Sequence, residues 1–373
     1  MEQELRPLTP ENLDEVFTLY QRNEQFFKIT KADFEQQTLE DFAFNPELSL
    51  VHYIDNKPIA VIVGVVKKWF IKKNLFIKVF MVDQEYRRHG IGTWMFHELL
   101  TLSKPYINMF SSMVYGFSPP QFLQPGVDVR HTSLLFFLQS MGLKRRKPRH
   151  NLVVQIPKEF PEPTQELSGF KIQRITSDYF EKTLQFVQKA FIAPTWPAEV
   201  KLTFDSMKSL TFIALDPQNN VVGFASHSTC FKGSFGPTGV LKSLRGKKLG
   251  GELLKWCIWD LKNQGFSTMT IMYVVGDTVK FYAKAVGAYI HPVHIPMRSC
   301  IFTLRRLRMS SAKVSRRGKP DIPYCPTCLH MLDSAGNTQG WLNAKLYRCS
   351  NCGYEGSFYV TKDLESSVDS AQT

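Results

Sequence analysis

The sequence predicts an α/β chain of the α+β kind: two mixed-sheet domains in tandem, then a small third module. Three observations carry that prediction. Residues 75–102 read as an apolar, β-branched and aromatic strand, an arginine-and-glycine turn, and a helix whose Ile91, Met95, Leu99 and Leu102 recur at three- and four-residue intervals. The same order of elements returns between 170 and 287. Near the end, four cysteines stand as two Cys-x-x-Cys pairs.

Length and composition agree. The 373 residues exceed a usual single domain of about 100–200 residues. A hydrophobic content of 43% is enough for real cores, and the net charge of +13 points to acidic partners: a nucleic acid, an anionic surface or a phosphate-bearing cofactor. The N-terminus, Met1-Glu2-Gln3-Glu4, lacks a basic flank and an apolar leader, and the longest apolar run, 59–66, is too short to span a bilayer. A cytoplasmic protein without a membrane partner is expected. Cys230, Cys257 and Cys300 sit in apolar surroundings and are expected to be inert core thiols, with no disulfide framework.

In chain order, a strand is expected at 4–8, a helix opening after Thr9-Pro10, a second helical region at 34–42, and a hairpin of 48–54 and 59–66 across Asp55-Asn56-Lys57-Pro58. After the helix that ends near Leu102 come a strand at 107–114, a long proline-rich loop at 118–126, and a helix at 132–141 stopped by Gly142. A basic run, Lys144 to Lys147, leads to a closing strand at 151–156, and 158–165, with Pro161 and Pro163, reads as a linker. The second round has a strand at 170–175, a helix at 178–191, a hairpin of 210–215 and 221–228, and a strand at 236–241. The turn Arg245-Gly246-Lys247-Lys248-Leu249-Gly250-Gly251 and its helix follow, then a strand at 269–275 and a helix at 278–286 stopped by Gly287.

The turn between strand and helix carries the chemistry. Arg87-Arg88-His89-Gly90-Ile91-Gly92 exposes the first N–H groups of a helix, which have no partner within it, and glycine lets phosphates approach the backbone. No third glycine completes a dinucleotide loop, and no Gly-Lys-Ser/Thr completes a P-loop. Arg87, Gly90 and Gly92, with Val82 five residues upstream, resemble instead the acyl-CoA signature of the GNAT acetyltransferase superfamily, Arg/Gln-x-x-Gly-x-Gly/Ala after a strand. Aligning Gly92 with Gly250 leaves 50 residues to Gly142 in one copy and 37 to Gly287 in the other, the difference lying in the proline-rich loop. The chain thus resembles tandem GNAT proteins. The expected divisions are 1–157, a linker at 158–165, 166–304, a basic linker at 305–320, a zinc ribbon at 321–362 and a tail at 363–373.

The resemblance implies transfer of an acyl group, usually acetyl, from CoA to a primary amine. It implies a cofactor site at Met81, Val82, Arg87, Arg88, His89, Gly90, Ile91, Gly92 and Thr93, with a backbone N–H near Met81 or Val82 facing the developing oxyanion. A second, altered cradle is expected at Arg245, Lys248, Gly250 and Gly251, where lysine replaces the first glycine. The reaction needs a base for the amine and an acid for the thiolate. Asp83 and Glu85 lie in the turn and read as solvated carboxylates, whereas Asp128 and His131 close the long loop on the acceptor side and are the expected base. For the acid, Tyr282 matches the family's second signature in copy two, one residue early before Gly287; in copy one the matching positions are His131 or Thr132 and Phe137, and Tyr115 is a possible substitute.

Cys325, Cys328, Cys349 and Cys352, two knuckles separated by 20 residues, have the spacing of a closed tetrahedral zinc site of the structural kind. Such a ribbon, with strands expected at 347–349 and 357–360, takes much of its folding free energy from the metal. The leading expectation is therefore an acetyl-CoA-dependent N-acetyltransferase with an unassigned amine acceptor. The alternative is a catalytically silent tandem scaffold whose basic linker and ribbon engage nucleic acid or a protein.

Overall fold

The computed structural model describes residues 3–69, 72–204, 209–305, 323–328, 330–337, 345–356 and 359. The basic linker beyond residue 305, the tail from 363 and the expected ribbon strand at 357–358 and 360 lie outside the described residues.

The first sheet has seven strands in the order Gln3–Pro7, Ser49–Ile54, Lys57–Trp69, Lys72–Val82, Ser112–Tyr115, Met297–Cys300, Lys144–Arg145. Its hairpin turns at Asp55 and Asn56, both left-handed at φ 48° and 58°. A tight two-residue turn requires that conformation, and short polar side chains tolerate it. Helices Leu13–Asn23 and Lys31–Gln37 cover one face, burying Val16, Tyr20 and Phe34 against Val51, Val61 and Val79. Helices Ile91–Leu102 and Thr132–Ser140 cover the other. The first of these lies so close that a Cβ on Gly64 would come within 2.7 Å of Leu99 Cδ1.

The central strand, Lys72–Val82, is irregular where it matters. Its register against Lys57–Trp69 runs Val63 to Val79 and then Gly64 to Ile77, so Lys78 is an extra residue. Side-chain parity flips there: Leu75 and Ile77 face the core under Ile91 and Met95, and beyond Lys78 it is Phe80 that does. On its other edge the strand runs parallel to Ser112–Tyr115 for three residues only, ending at Ile77 opposite Tyr115 and a bond from Gly116 N–H to Ile77 O of 3.0 Å. The bulge turns 78–82 away, and a wedge opens between the two strands. Beneath the bulge Lys78 and Lys67 both donate to Asp41, all three buried.

The second sheet has nine strands in the order Val127–Asp128, Tyr289–Ile295, Arg149–Gln155, Thr268–Val274, Ser234–Val240, Val221–His227, Thr211–Leu215, Phe170–Arg174, Glu166–Leu167. Helix Leu249–Asn263 packs against it through Leu253, Cys257 and Leu261. Helix Trp196–Phe204, which local pattern does not announce, closes the opposite face with Ser177–Ala190.

The two halves exchange strands. Arg149–Gln155, from before the 158–165 connection, sits in the second sheet, and Met297–Cys300, from the end of the second half, sits in the first. The first half lends Val127–Asp128 as well as Arg149–Gln155 and receives Met297–Cys300, so the covalent division at 158–165 is not a division between sheets. That connection is also pinned: Thr164 N–H donates to Glu252 at 3.0 Å and Trp256 Nε1–H to Thr164 O at 3.1 Å. Among the three scattered cysteines, Cys230 lies at the junction of the halves with Phe122 and Phe231, and Cys257 lies in the second core. Burial pushes the Cys230 thiol up to about 12 and Cys257 well above its ordinary range. Cys300 is only partly buried. No helix among the described residues is long and apolar enough to cross a membrane.

Two buried histidines and the half-buried Glu199 shape stability between about pH 6.5 and 4.5. Burial holds His52 and His294 at about 4, below the unfolded 6.5, and raises Glu199 to about 7 from 4.5. Between about pH 6.5 and 4.5 the unfolded chain holds two histidine protons that the native state refuses, while the native state keeps one carboxyl proton that the unfolded chain releases. The unfolded state binds more protons, so stability falls as pH drops through this window, by about 3 kcal/mol net. Denaturant titrations at pH 7 and 4.5 read this, and Glu199→Gln, which removes the opposing group, should make the fall about twice as steep.

Candidate functional site

The wedge is the start of a groove of about 1130 Å3. Strand 78–82, the Gln84–Gly92 turn, Thr93, Tyr115, Gly116 and helix 132–140 line it. Asp83 N–H donates to Ile59 O at 2.8 Å. Amides alternate along a strand, so those of Phe80 and Val82 face away from that partner into the wedge, and that of Met81 does not.

At the turn, Gly90 takes φ 85° and starts helix Ile91–Leu102; the first helical bond runs from Trp94 N–H to Gly90 O at 2.9 Å. The amides of Ile91, Gly92 and Thr93 therefore have no helical partner, and the groove is lined at Gly90, Gly92 and Thr93. The Arg87 side chain braces the turn instead of reaching outward: its Nε donates to Val82 O at 2.8 Å and Nη2 to Asn23 Oδ1 at 3.2 Å. Arg22 pairs with buried Asp83, and Gln84 N–H donates to Asn23 Oδ1 at 3.0 Å, so the end of the first helix holds the turn. Glu85 is exposed. Arg88 is exposed with a left-handed backbone, φ 69°. His89 Nε2 lies 3.0 Å from Leu332 O.

The same groove is also lined by Tyr20, Glu24, Tyr115, Asp128 and His131. Asp128 is buried and tied to Arg130, whose Nη2 donates to Oδ2 at 2.6 Å. Burial opposes its ionisation, but Arg130 outweighs that and holds the carboxyl below its usual range. Asp128 also presents His131, whose N–H donates to Asp128 O at 2.9 Å. The His131 ring meets a carboxylate that sequence reasoning missed: Nε2 lies 2.9 and 3.0 Å from the two oxygens of Glu24. Glu24 follows the first helix, 107 residues earlier, and is positioned by accepting from the N–H groups of Phe26 and Phe27 at 2.9 and 3.0 Å. No motif marks it. Burial raises the Tyr115 phenol well above its usual range, so it stays protonated.

Tyr282 is elsewhere. It is buried in the second core, its ring edge-on to Phe235, and cannot reach the first groove. The one-residue offset has the consequence helical geometry requires: Phe281, not Tyr282, lies over Gly250, 3.6 Å from where a Cβ would be, as Phe137 lies 3.5 Å over Gly92. Val82 and Val240 take matching places beside those glycines. Lys248, at φ 63°, occupies the left-handed position of Gly90, and the short 3-10 turns Gln84–Tyr86 and Lys242–Leu244 correspond. Arg245 lies on this second turn and Gly251 in the first turn of its helix, so the second half repeats the backbone of the first.

The four cysteine sulfurs of Cys325, Cys328, Cys349 and Cys352 lie within 4.8 Å of one another, and the Cys325–Cys352 and Cys328–Cys349 pairs are 3.5 Å apart. Tetrahedral bonds of about 2.3 Å place sulfurs about 3.8 Å apart, so the set fits a four-thiolate ion. Strands Asp333–Asn337, Lys345–Arg348 and Glu355–Gly356 form its sheet.

The architecture is that of a tandem GNAT fold. Residues 13–110, from the first helix past the signature turn, match the family model described as the acetyltransferase (GNAT) family. Among solved structures, the chain is similar to a GCN5-related N-acetyltransferase from Sphaerobacter thermophilus, with TM-score 0.61, 14% identity and coverage of 80% of this chain and 96% of that one. It is also similar to a tandem GNAT protein from the clavulanic acid biosynthesis pathway, with TM-score 0.59, 14% identity and coverage of 80% and 99%. A GCN5-related glucosamine N-acetyltransferase region in a fungal multi-domain GH3 β-N-acetylglucosaminidase gives TM-score 0.66 at 16% identity over 80% of this chain, which spans 38% of that protein's length. No curated protein matches.

Proposed function

We propose that the first half is an acyl-CoA-dependent N-acyltransferase, moving an acetyl group to a primary amine, and that the cysteine module holds a structural zinc. The observation that carries this is one continuous groove joining unpaired helix amides at 91–93 to the Glu24–His131 pair. Coenzyme A supplies the thioester, whose acyl carbon is attacked by the amine nitrogen as the carbon–sulfur bond breaks. The amides of 91–93 receive phosphate, with Arg87 keeping them in place. The amides of Phe80 and Val82 donate to the thioester oxygen as charge develops on it. His131, backed by the Glu24 carboxylate, accepts the proton the amine loses, and the Tyr115 phenol returns one to the leaving sulfur. In this reading Asp128 positions His131, Tyr282 is a core residue, and Lys248 and Gly250 keep the shape of a cradle without the chemistry.

Titration calorimetry with acetyl-CoA tests the reading. Wild type should bind, and Gly90→Trp should weaken binding at least tenfold, because a side chain at φ 85° is strained and fills the cradle. No heat with wild type would remove the acyl-transfer assignment.

A further inference from the structure

The cysteine module is not tethered at a distance; it is bolted to the signature turn. Tyr324, next to the first cysteine, is 1% exposed and joins the same core as Ile91 and Met95. It bridges to Met331, which packs on that core too, and Leu332 N–H donates to Pro323 O at 2.9 Å, so the first knuckle is a loop closed at its base by this stem. The stem then makes one contact behind the turn and places one residue on the groove. Leu332 O meets His89 Nε2 at 3.0 Å, and Asp333 lines the same groove as Arg87 and Arg88.

We infer that the metal-clipped module is a wall of the acyl-CoA site: the stem holds His89 and through it the Arg87–Gly92 turn, so that metal binding sets cofactor affinity. This rests on the acyl-CoA reading above. Leu332 belongs to a separate small core of Cys325, Tyr347 and Cys349, two of them ligands, which is too little to hold it in place without the ion. Its loss frees the Leu332 carbonyl and leaves the turn, already strained at Arg88, with one brace fewer. His89 and Leu332 are positioning residues, not catalytic ones.

Two readouts on the full chain test this. The first is acetyl-CoA affinity by calorimetry, for metal-loaded and chelator-stripped wild type and for His89→Ala in both states. Stripping should weaken wild type about fivefold, His89→Ala should do the same, and stripping the variant should add less than about twofold, because both act through one hydrogen bond. The second is amide exchange: stripping should speed exchange at 84–93 and leave Val221–His227 unchanged. Affinity unchanged on stripping, or exchange rising equally in the second sheet, overturns the inference alone. Failure of metal-loaded wild type to bind acetyl-CoA overturns it together with the acyl-CoA reading.

Discussion

Glu24→Gln should lower kcat for acetyl transfer by about 10²–10⁴-fold, the range general acid–base catalysis supplies. Glutamine keeps the shape and can still accept from the Phe26 and Phe27 amides, so the loop it caps stays in place. What it loses is the charge that stabilises His131 after the ring takes the amine's proton. His131→Ala should lose a similar amount, and the double variant little more, since two residues in one relay are not additive. Acetyl-CoA affinity should hold within about twofold, because Glu24 is engaged with His131 and the Phe26 and Phe27 amides rather than with the helix amides at 91–93. Steady-state kinetics on an amine panel gives the answer, and a loss of kcat below about threefold would remove the pair from the reaction.

Asp41→Asn should destabilise the fold by about 3–5 kcal/mol, the cost of leaving buried charge without its partner. The Asp41 side chain has no exposed surface, and those of Lys67 and Lys78 have 3% and 1%. Burial opposes ionisation of Asp41, yet Lys78 and Lys67 together hold its carboxyl below the usual range. Burial and the neighbouring Lys78 push Lys67 down to about 8. Removing the one anion leaves two ammonium groups facing each other under the bulge. Urea unfolding measures the cost, and the triple change Asp41→Leu, Lys67→Met, Lys78→Met should recover most of it, since apolar packing replaces buried ions at little loss. A cost under about 1 kcal/mol for Asp41→Asn would mean that the cluster is already neutralised another way.

Both predictions rest on residues the sequence does not mark. Glu24 belongs to no motif, and its partner is 107 positions away. Asp41 and Lys78 look like ordinary surface charges until the bulge turns Lys78 inward beneath helix Lys31–Gln37 and its following turn. The strand exchange is hidden for the same reason. Residues 149–155 and 297–300 have sound strand patterns, but pattern says only that a strand forms, not which edge it joins. Tyr282 is the converse case: a motif-like residue whose one-position offset turned it into the core and put Phe281 over the glycine.

By itself the sequence determined the two strand–turn–helix units, their repetition and the four-cysteine spacing, because each is written in residues a few positions apart and governed by backbone geometry. Tertiary structure alone decided that the halves trade strands, that a bulge at Lys78 opens the wedge, that Glu24 meets His131, and that the cysteine module leans on His89. The bulge depends on partners tens of residues away and the rest on contacts across a hundred or more, where the choice of partner is settled by which surfaces bury best together, and no short stretch of chain contains that information.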